Sequence, residues 1–289
     1  MSAADLRPPV GAVRDAVGRA LAEDLMPLGD LTSALLPDGL TATAEFVARD
    51  SGVLAGRLCA DQAFVQVDPT VVIDWSADDG DGLAAGRAFG RVSGVLASIL
   101  TAERTALNFM CHLSGVATLT ARYVEAAATR GDARIWDTRK TTPGLRALEK
   151  AAVRAGGGSN HRGNLSDWVL LKDNHLALFG ITDAVRRARE RWPARTVHVE
   201  CAHLDHVKEA LDAGADALLL DNMSPDEVRA CVLAVADAST SRRPLLEVSG
   251  GVSLDTVADY SATGVDLISV GALTHSAPVL DIALDVRSA

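Results

Sequence analysis

The sequence has few aromatic residues, no paired cysteines and no excess of basic charge. With five Phe and two Tyr among 289 residues, the core must consist mainly of aliphatic side chains. The four cysteines form no Cys-x-x-Cys pair, which disfavours a zinc finger or a disulfide framework and indicates reduced thiols in a cytosolic protein. A formal charge of -10 disfavours a general nucleic-acid surface, because such a surface needs basic patches.

Long apolar runs are also missing. No segment has about 18 uncharged apolar residues, the length that a membrane-spanning helix requires. Asp5, Pro8 and Pro9 interrupt the N-terminal region where a signal peptide would need a continuous apolar core. We therefore expect a soluble, cytoplasmic protein.

The first part of the chain predicts an α+β domain. Apolar residues at helical spacing predict an amphipathic helix over 10–25, and "MPLGDLTS" predicts a loop after it. Short apolar runs between about 41 and 95, separated by turn residues, predict a small antiparallel sheet. Strong helix formers then predict a helix from 93 to about 128, with a break and a domain boundary near Ser114-Gly115.

The rest of the chain predicts alternating strands and helices. Its six apolar runs are "ARIW", "WVLL", "TVHVE", "ALLLD", "PLLEV" and "LISVG". Amphipathic segments such as "LDHVKEALDAGA" separate the later runs, which predicts a parallel sheet covered by helices. Polar residues follow each run, as in a barrel whose active site lies at the C-terminal ends of its strands. A doubly wound sheet also binds ligands there, but the absence of Gly-x-Gly-x-x-Gly after the first run favours the barrel.

Two carboxylates and one lysine at these strand ends share a predicted direction. Side chains two residues apart on a strand point to the same face, so Glu200, Asp221 and Lys172 can all point into one lumen. Paired carboxylates suit Mg²⁺, ribose hydroxyls or a developing cation. Either acid taken alone could equally cap the helix that follows it.

Cations also gather at the predicted strand ends and adjoining loops, namely Arg139, Lys140, His161, Arg162 and Lys172. Together they would repel one another unless an anion lies among them, and Arg binds carboxylate or phosphate through two parallel hydrogen bonds. Each one alone would more simply pair with a surface acid, but the set predicts a polyanionic ligand. The segments "SGG" at 249–251 and "VGAL" at 270–273 are either turns or a phosphate site made of backbone N–H groups.

A zinc site in "HVECAHLDH" is disfavoured. On a strand, Cys201 would point away from His198 and Glu200. His203 and His206 would belong to the next helix, where solvated histidines are the simpler interpretation.

The motifs resemble those of the quinolinate phosphoribosyltransferase family, also called carboxylating nicotinate-nucleotide pyrophosphorylases. The matching segments run in order from residue 23 to 276 and are "EDLMPLGDLTS", "TAERTALNFMCHLSGVAT", "DTRKTTPGLRALEKAAVRAGGGSNHR", "LKDNH", "LLLDN", "EVSGG" and "GVDLISVGALTHS". The resemblance implies an N-terminal α/β sandwich over 1–112, joined by the segment 276–289. It also implies an open, incomplete α/β barrel of six or seven strands over 113–275.

The resemblance further implies a reaction. Quinolinate and 5-phosphoribosyl 1-pyrophosphate would combine, with Mg²⁺ and no organic cofactor, to give nicotinate mononucleotide, pyrophosphate and CO₂ in de novo NAD synthesis. Family members are dimers or larger assemblies in which each site borrows residues from the neighbouring subunit. The alternatives are a paralogue acting on another pyridine carboxylate, a Schiff-base barrel lyase using Lys172 or Lys140, and a non-catalytic protein that binds a phosphorylated metabolite.

The same resemblance implies a role for each matching residue. The two carboxylates of quinolinate would be held by Arg139, His161, Arg162 and Lys172, with Thr138 beside them and Arg104 reaching in from the partner subunit. Lys140 would act catalytically on the pyrophosphate or substrate anion, while Glu200 and Asp221 would act beside the ribose and hold Mg²⁺. The 5-phosphate would be bound by Ser249, Gly250, Gly251, Gly271 and Ala272.

The chain departs from the family pattern in two places. Where many members read Glu-Val-Glu-Val and an acid, this chain reads His198-Val199-Glu200-Cys201-Ala202, and Gly163-Asn164 stands before Leu165 where one residue and Gly-Leu are usual. The cationic set is unchanged.

Strand parity also predicts that Arg139 and Lys140, at the end of the first barrel strand, point to opposite faces, one to the pyridine carboxylate and one to the phosphoribosyl side.

Overall fold

The structure is a computed structural model that describes residues 6–238 and 242–287. The elements up to residue 128 are, in chain order, α1 (Val10–Leu25), β1 (Thr41–Ala48), β2 (Gly52–Val53), α2 (Arg57–Val67), β3 (Val72–Trp75), β4 (Gly82–Leu83), β5 (Ala88–Val95) and α3 (Leu96–Ala128). A 3-10 turn, Ser33–Leu35, lies between α1 and β1. Within the described residues, no helix has both the length and the apolar character needed to cross a membrane.

The later elements alternate between strand and helix. They are β6 (Arg134–Trp136), α4 (Arg146–Ala155), β7 (Val169–Leu171), α5 (Asp173–Arg191), β8 (Val197–Cys201), α6 (Leu204–Asp212), β9 (Ala217–Asp221), α7 (Pro225–Asp237), β10 (Leu245–Ser249), α8 (Val257–Ser261), β11 (Leu267–Ser269), α9 (Ala272–His275) and β12 (Ile282–Arg287). All six apolar runs noted in the sequence are strands, which confirms the predicted alternation.

The chain forms two compact units. The first unit comprises the described parts of 1–121, 140–157 and 272–289, and the second comprises 122–139 and the described parts of 158–271. The domain ranges implied by the resemblance, 1–112 with 276–289 and 113–275, stay predictions.

The first unit is built on a four-stranded antiparallel sheet in the order β12-β1-β5-β3. Helix α1 buries Val13, Val17 and Leu21, the face that the apolar spacing predicts. Phe46 of β1 stacks on Trp75 of β3, with ring centroids 4.8 Å apart, so one of the few aromatic clusters anchors this sheet. The predicted helix and antiparallel sheet are both confirmed.

The break predicted at Ser114-Gly115 is wrong, because α3 continues through both residues. The Ser114 hydroxyl accepts a hydrogen bond from the Ala55 N–H at 3.0 Å and donates one to the Ala55 carbonyl at 3.1 Å. A β-carbon on Gly115 would lie 2.1 Å from the Pro278 carbonyl oxygen. These two small residues therefore allow the backbone to approach closely, and they do not end the helix.

The second unit contains six parallel strands in the order β6-β11-β10-β9-β8-β7. Its first strand pairs with its last, Ile135 opposite Ile268, and each remaining pair joins strands that are consecutive along the chain. A doubly wound sheet would instead place its first strand inside the sheet. This order is that of an α/β barrel left open between β6 and β7, which confirms the open barrel.

Candidate active site

Most of the predicted site residues lie in the second unit, at or shortly after the C-terminal ends of its parallel strands. They are Thr138, Arg139, His161, Arg162, Lys172, Glu200, Asp221, Ser249, Gly250, Gly251 and Gly271. Arg104, Lys140 and Ala272 belong to the first unit. Because parallel strands end at a common edge, the first set occupies one rim of the barrel.

The parity argument for Arg139 and Lys140 is wrong, because β6 ends at Trp136 and both residues lie in the loop after it. A loop has no alternation of faces. The division between the two compact units falls between these two residues, with Arg139 in the second and Lys140 in the first. Their separate environments therefore come from the path of the loop.

Lys172 and Glu200 meet, as their strand positions predict. Lys172 is the residue between β7 and α5, and its Nζ forms an ion pair and hydrogen bond with Oε2 of Glu200 near the end of β8. The Glu200 side chain is 13% exposed and that of Lys172 is 44% exposed. A ligand anion can therefore reach the ammonium group of Lys172 from solvent, although it must compete with the Glu200 carboxylate.

The guanidinium groups of Arg139 and Arg162 interact electrostatically beside the rim. Burial is the main cause that lowers the pKa of Arg162, and the charge of Arg139 lowers that pKa further. The Nε of Arg139 is buried and has no hydrogen-bond partner anywhere in residues 6–238 or 242–287. A buried guanidinium N–H without a partner is costly, so this pair is arranged for an anion that brings the missing acceptor.

Asp137, at the end of β6, fixes the segment that carries His161 and Arg162. Its buried carboxylate accepts hydrogen bonds from Asn160 Nδ2 at 2.6 Å and from the His161 N–H at 2.9 Å. These hydrogen bonds fix the backbone and can thereby hold the side chains of His161 and Arg162 in one orientation.

The Gly163-Asn164 departure is accommodated by a turn around Asp167. The Asp167 carboxylate accepts hydrogen bonds from the N–H groups of Gly163, at 2.6 Å, and Asn164, at 3.4 Å. The first of these bonds is the main cause that lowers the pKa of Asp167. The altered residues are therefore held in a hydrogen-bonded turn directly after Arg162.

Glu247 is a site residue that sequence reasoning did not select. It is fully buried in β10, its Oε1 lies 3.5 Å from Nε2 of His161, and it accepts a hydrogen bond from the Ser269 hydroxyl of β11. The signal in the sequence was an acid inside the apolar run "PLLEV", since Glu is rarely buried unless it is paired. Its carboxylate supplies negative charge beneath the cations.

Aromatic rings close the open side of the barrel. Trp136 ends β6 and Trp168 precedes β7, and their ring centroids lie 6.1 Å apart across the gap between these strands. The His161 ring contacts both, at 5.6 Å from Trp136 and 5.0 Å from Trp168, and the ring of His198 stacks on Trp168 at 5.0 Å. Burial is the main cause that lowers the pKa of His198 to about 4. The departure at His198 therefore adds a neutral ring to an aromatic wall suited to a flat ligand.

The loop after β10 is shaped for close backbone approach. Gly250 and Gly251 have φ of +93° and +63°, and the neighbouring Asn222 has φ of +55°. The Asn222 N–H donates to the Ser249 carbonyl at 2.9 Å, and its Nδ2 donates to Asp221 Oδ2 at 2.8 Å. The glycine loop and the Asp221 carboxylate are therefore neighbours, an arrangement that suits a phosphate joined to a polyol.

The predicted residues of the first unit are described separately. Arg104 is exposed on α3. The carbonyl of Lys140 accepts a hydrogen bond from the Thr274 hydroxyl at 2.8 Å, which ties its loop to α9, the helix that begins at Ala272. Glu149 of α4 is buried, pairs with His112 at 2.9 Å and accepts from the Thr142 N–H at 3.0 Å. The Lys140 loop is thus held at both ends.

The histidines after β8 do not join Glu200 in a metal cluster. His203 and His206 contact each other, with ring centroids 3.8 Å apart, while Cys201 is buried and donates weakly to the Val199 carbonyl. In the described ranges, the group of His, Cys or carboxylate ligands close enough to share an ion is His161, His198 and Glu247. His198 of "HVECAHLDH" belongs to this group, whereas Glu200, Cys201, His203 and His206 do not.

The rim is chemically suited to a flat anion beside a phosphorylated sugar. Family models described as the N-terminal and C-terminal domains of quinolinate phosphoribosyl transferase match residues 30–114 and 116–285. The chain is 43% identical to the carboxylating nicotinate-nucleotide pyrophosphorylase of Mycobacterium leprae over 95% of this chain and 97% of that protein.

A plant relative and a solved structure extend the similarity. The chain is 40% identical to the chloroplastic carboxylating nicotinate-nucleotide pyrophosphorylase of Oryza sativa subsp. japonica, over 96% of this chain and 78% of that protein. The structure of the nicotinate-nucleotide pyrophosphorylase from Francisella tularensis superposes with a TM-score of 0.93 at 36% identity, covering 98% of this chain and 99% of that one.

Proposed function

Because the chain belongs to the quinolinate phosphoribosyltransferase family, we propose that its barrel rim transfers the phosphoribosyl group of 5-phosphoribosyl 1-pyrophosphate to quinolinate. The products are nicotinate mononucleotide, pyrophosphate and CO₂, and the reaction is a step of de novo NAD synthesis. The chain matches nearly the full length of its bacterial relative, so we propose the whole activity for it and not a part of it.

The buried Nε of Arg139 carries the proposal, because it needs an acceptor and because the charge of Arg139 acts on a second guanidinium, that of Arg162. Quinolinate is a flat pyridine with two adjacent carboxylates. Its four carboxylate oxygens can satisfy Arg139, Arg162, Lys172 and His161, while the ring rests on the wall of Trp136 and Trp168. A monocarboxylate such as nicotinate would leave part of this cationic set without a partner, which is how the site selects its substrate.

The phosphoribosyl donor extends from this pocket toward the glycine loop. Its 5-phosphate accepts hydrogen bonds from the backbone of Ser249, Gly250 and Gly251, and from that of Gly271 and Ala272, which follow β11. Asp221 borders this loop through Asn222 and is placed to bind ribose hydroxyls. Departure of pyrophosphate leaves positive charge on the ribose ring, and the carboxylates of Asp221 and Glu200 stabilise that charge.

Glu200 and Asp221 also fit Mg²⁺. Both end neighbouring strands, and Glu200 is opposite Leu219, the residue that shares a face with Asp221. Hard carboxylate oxygens on a solvent-accessible rim are the ligands that Mg²⁺ takes together with substrate phosphates. When bound, Mg²⁺ supplies charge neutralisation to the departing pyrophosphate.

The chain's own residues contribute mainly position and charge. The pyridine nitrogen, held by the cationic set, forms a bond to C1 of the ribose as the bond to pyrophosphate breaks. The ring nitrogen is then positively charged, so it accepts the electron pair released when the adjacent carboxylate leaves as CO₂. A proton replaces the carboxylate. Lys140 meets the pyrophosphate or the substrate anion from its loop.

The active assembly is a homodimer or a larger oligomer. Arg104 is exposed on α3 and reaches the quinolinate pocket of the neighbouring subunit, as the family resemblance implies.

The four cysteines are free thiols, which fits the reducing cytoplasm.

Calorimetry with quinolinate tests the cationic pocket. Arg139→Met and Lys172→Met are expected to abolish measurable quinolinate binding, because each removes a cation from the carboxylate site. Arg229→Met is the matched control, since it removes a surface guanidinium that pairs with Asp226 on α7. Unchanged quinolinate affinity in Arg139→Met would overturn the assignment.

An assay with the phosphoribosyl donor tests the reaction. Quinolinate should yield equal amounts of CO₂ and mononucleotide, and nicotinate should yield neither. Turnover of a different pyridine carboxylate in preference to quinolinate would establish the paralogue instead. Borohydride trapping of Lys172 or Lys140 on a carbonyl substrate would establish the lyase.

A further inference from the structure

Three buried polar residues lie together below the cationic rim. His161 comes from the segment after β6, His198 from β8 and Glu247 from β10, with 7%, 3% and 0% of their surfaces exposed. One nitrogen of each imidazole and one oxygen of the carboxylate all lie within 4.8 Å of one another. Three segments that are distant in sequence therefore converge on one small volume inside the barrel.

Two atoms of this cluster lack a partner. Oε2 of Glu247 and Nδ1 of His198 are buried, and neither forms a hydrogen bond within residues 6–238 and 242–287. A buried carboxylate oxygen without a partner has lost its hydration and gained nothing in return, so such groups are rarely left unsatisfied. These two atoms can therefore bind one further group, provided that it is electron-poor.

One spacing in the cluster, that between His161 and Glu247, matches a small metal ion. A tetrahedral Zn²⁺ with bonds of about 2.0 to 2.2 Å places its ligand atoms about 3.4 Å apart. Nε2 of His161 and Oε1 of Glu247 are separated by 3.5 Å. The Ser269 hydroxyl donates to the same carboxylate, an outer contact of the kind that orients metal ligands.

We propose that His161, His198 and Glu247 form a binding site for a divalent transition metal, Zn²⁺ in the first place. Two imidazole nitrogens and one carboxylate favour Zn²⁺ over Mg²⁺, which prefers oxygen ligands. Three protein ligands leave a fourth position open to water. The site is distinct from the Mg²⁺ site proposed at Glu200 and Asp221, whose ligands are carboxylates on the exposed rim.

The surrounding charges set the strength of this site. Glu247 is the one carboxylate of the cluster, and the Arg162 guanidinium is close enough to interact with it. Arg162 therefore opposes a second cation. The site should bind Zn²⁺ reversibly and more weakly than structural zinc sites.

The chain offers an internal control. His203, which is exposed, and His206, which is partly exposed, form an imidazole pair that can also bind Zn²⁺, and their removal leaves the buried cluster intact. His198 can be replaced by Gln, which is similar in size but cannot supply a ring nitrogen. The two substitutions separate the buried site from the surface site.

The test is Zn²⁺ titration of the metal-free full chain, without quinolinate or the phosphoribosyl donor. The wild-type chain should bind one Zn²⁺ in a step that also raises its Tm, since an ion that binds only the folded chain stabilises it. His198→Gln should weaken that step by at least about 100-fold, the upper end of what loss of an outer partner costs. The His203→Gln/His206→Gln double variant should retain it.

Two results would overturn the proposal: no such step in the wild-type chain, or a step that survives His198→Gln and disappears in the double variant. Glu247→Gln is a second test, and if it fails to fold, His198→Gln alone decides. His161 also belongs to the proposed quinolinate pocket. Because the titration contains no substrate, its failure leaves the transferase proposal untouched, and a failed transferase assay leaves the metal site untouched.

Discussion

Lys172 Nζ and Glu200 Oε2 form an ion pair across the ends of two neighbouring barrel strands. In the free chain the carboxylate of Glu200 therefore competes with a substrate carboxylate for this ammonium group. Glu200→Gln should strengthen quinolinate binding about two- to fivefold, the range expected for releasing a partly exposed ion pair. The same change should lower kcat at least about tenfold, because the ribose cation loses a stabilising charge.

Calorimetry with quinolinate and steady-state kinetics measure the two effects separately. Glu190→Gln, which removes a surface carboxylate paired with Arg186, is the control and should change neither quantity. Weaker quinolinate binding in Glu200→Gln would contradict the competition between Glu200 and the substrate.

The glycine loop gives a prediction about the phosphoribosyl donor. A β-carbon on Gly250, at φ of +93°, would lie 2.2 Å from Asn222 Oδ1, whereas one on Gly251 would have no atom within 4 Å. Gly250→Ala should therefore raise the KM for the donor at least about tenfold, and Gly251→Ala should raise it less, since only its φ is strained. Quinolinate affinity, measured by calorimetry, should be unchanged in both. Equal effects of the two substitutions on the KM would count against this placement of the loop.

Gly115 gives a prediction about stability. Gly115→Ala should lower the free energy of unfolding by about 1 to 3 kcal/mol, because the new methyl group would meet the Pro278 carbonyl. Gly11→Ala in α1 is the control, since open space surrounds its β-carbon position and Ala favours helix. Thermal unfolding should show a lower Tm for the first variant and an unchanged or higher Tm for the second. A Gly115→Ala chain as stable as the wild type would show that the close approach is absent.

Asp30 gives a prediction about pH. Its carboxylate accepts hydrogen bonds from the Ser33 hydroxyl, which is the main cause that lowers its pKa, and from the N–H groups of Ser33 and Thr32 and the hydroxyl of Thr101. Because the pKa is lower in the folded chain, the unfolded chain binds the proton more readily. The stabilisation is therefore present above the ordinary Asp pKa of 3.8 and is lost as the pH falls through the lower pKa of the folded state.

Asp30→Asn should lower the free energy of unfolding by about 1 kcal/mol at pH 7, as loss of a capping side chain does. The difference from the wild type should narrow in acid. Urea unfolding at neutral and acid pH measures both values, with the exposed Asp38→Asn as control. A difference that stays constant with pH would exclude the charge of Asp30 as its cause.

Local pattern predicted much of this structure. The buried face of α1, the six barrel strands and the meeting of Lys172 with Glu200 all follow from the spacing of apolar and polar residues along single elements. Such spacing is independent of what packs against the element. The common location of the site residues at one rim was predictable too, because parallel strands end at one edge whatever their order.

Two features that sequence reasoning missed have a different cause, since each depends on residues far away in the chain. Gly115 resembles a helix breaker until the backbone of Pro278 is seen to pack against it. The aromatic wall of Trp136, Trp168 and His198 exists only because the barrel is open between β6 and β7. The parity of Arg139 and Lys140 failed for a local reason, namely that β6 ends at Trp136.

The pairing of β12 with β1 constrains how the chain can be made. Ala44 of β1 faces Val286 of β12, so the sheet of the first unit joins residues near the two ends of the sequence. During translation, all six barrel strands leave the ribosome before β12 does. Until then, the edge of β1 remains an unpaired template for other strands, and such long-range pairing is slow. The interval before residue 287 emerges is therefore the stage at which the nascent chain most needs protection from aggregation.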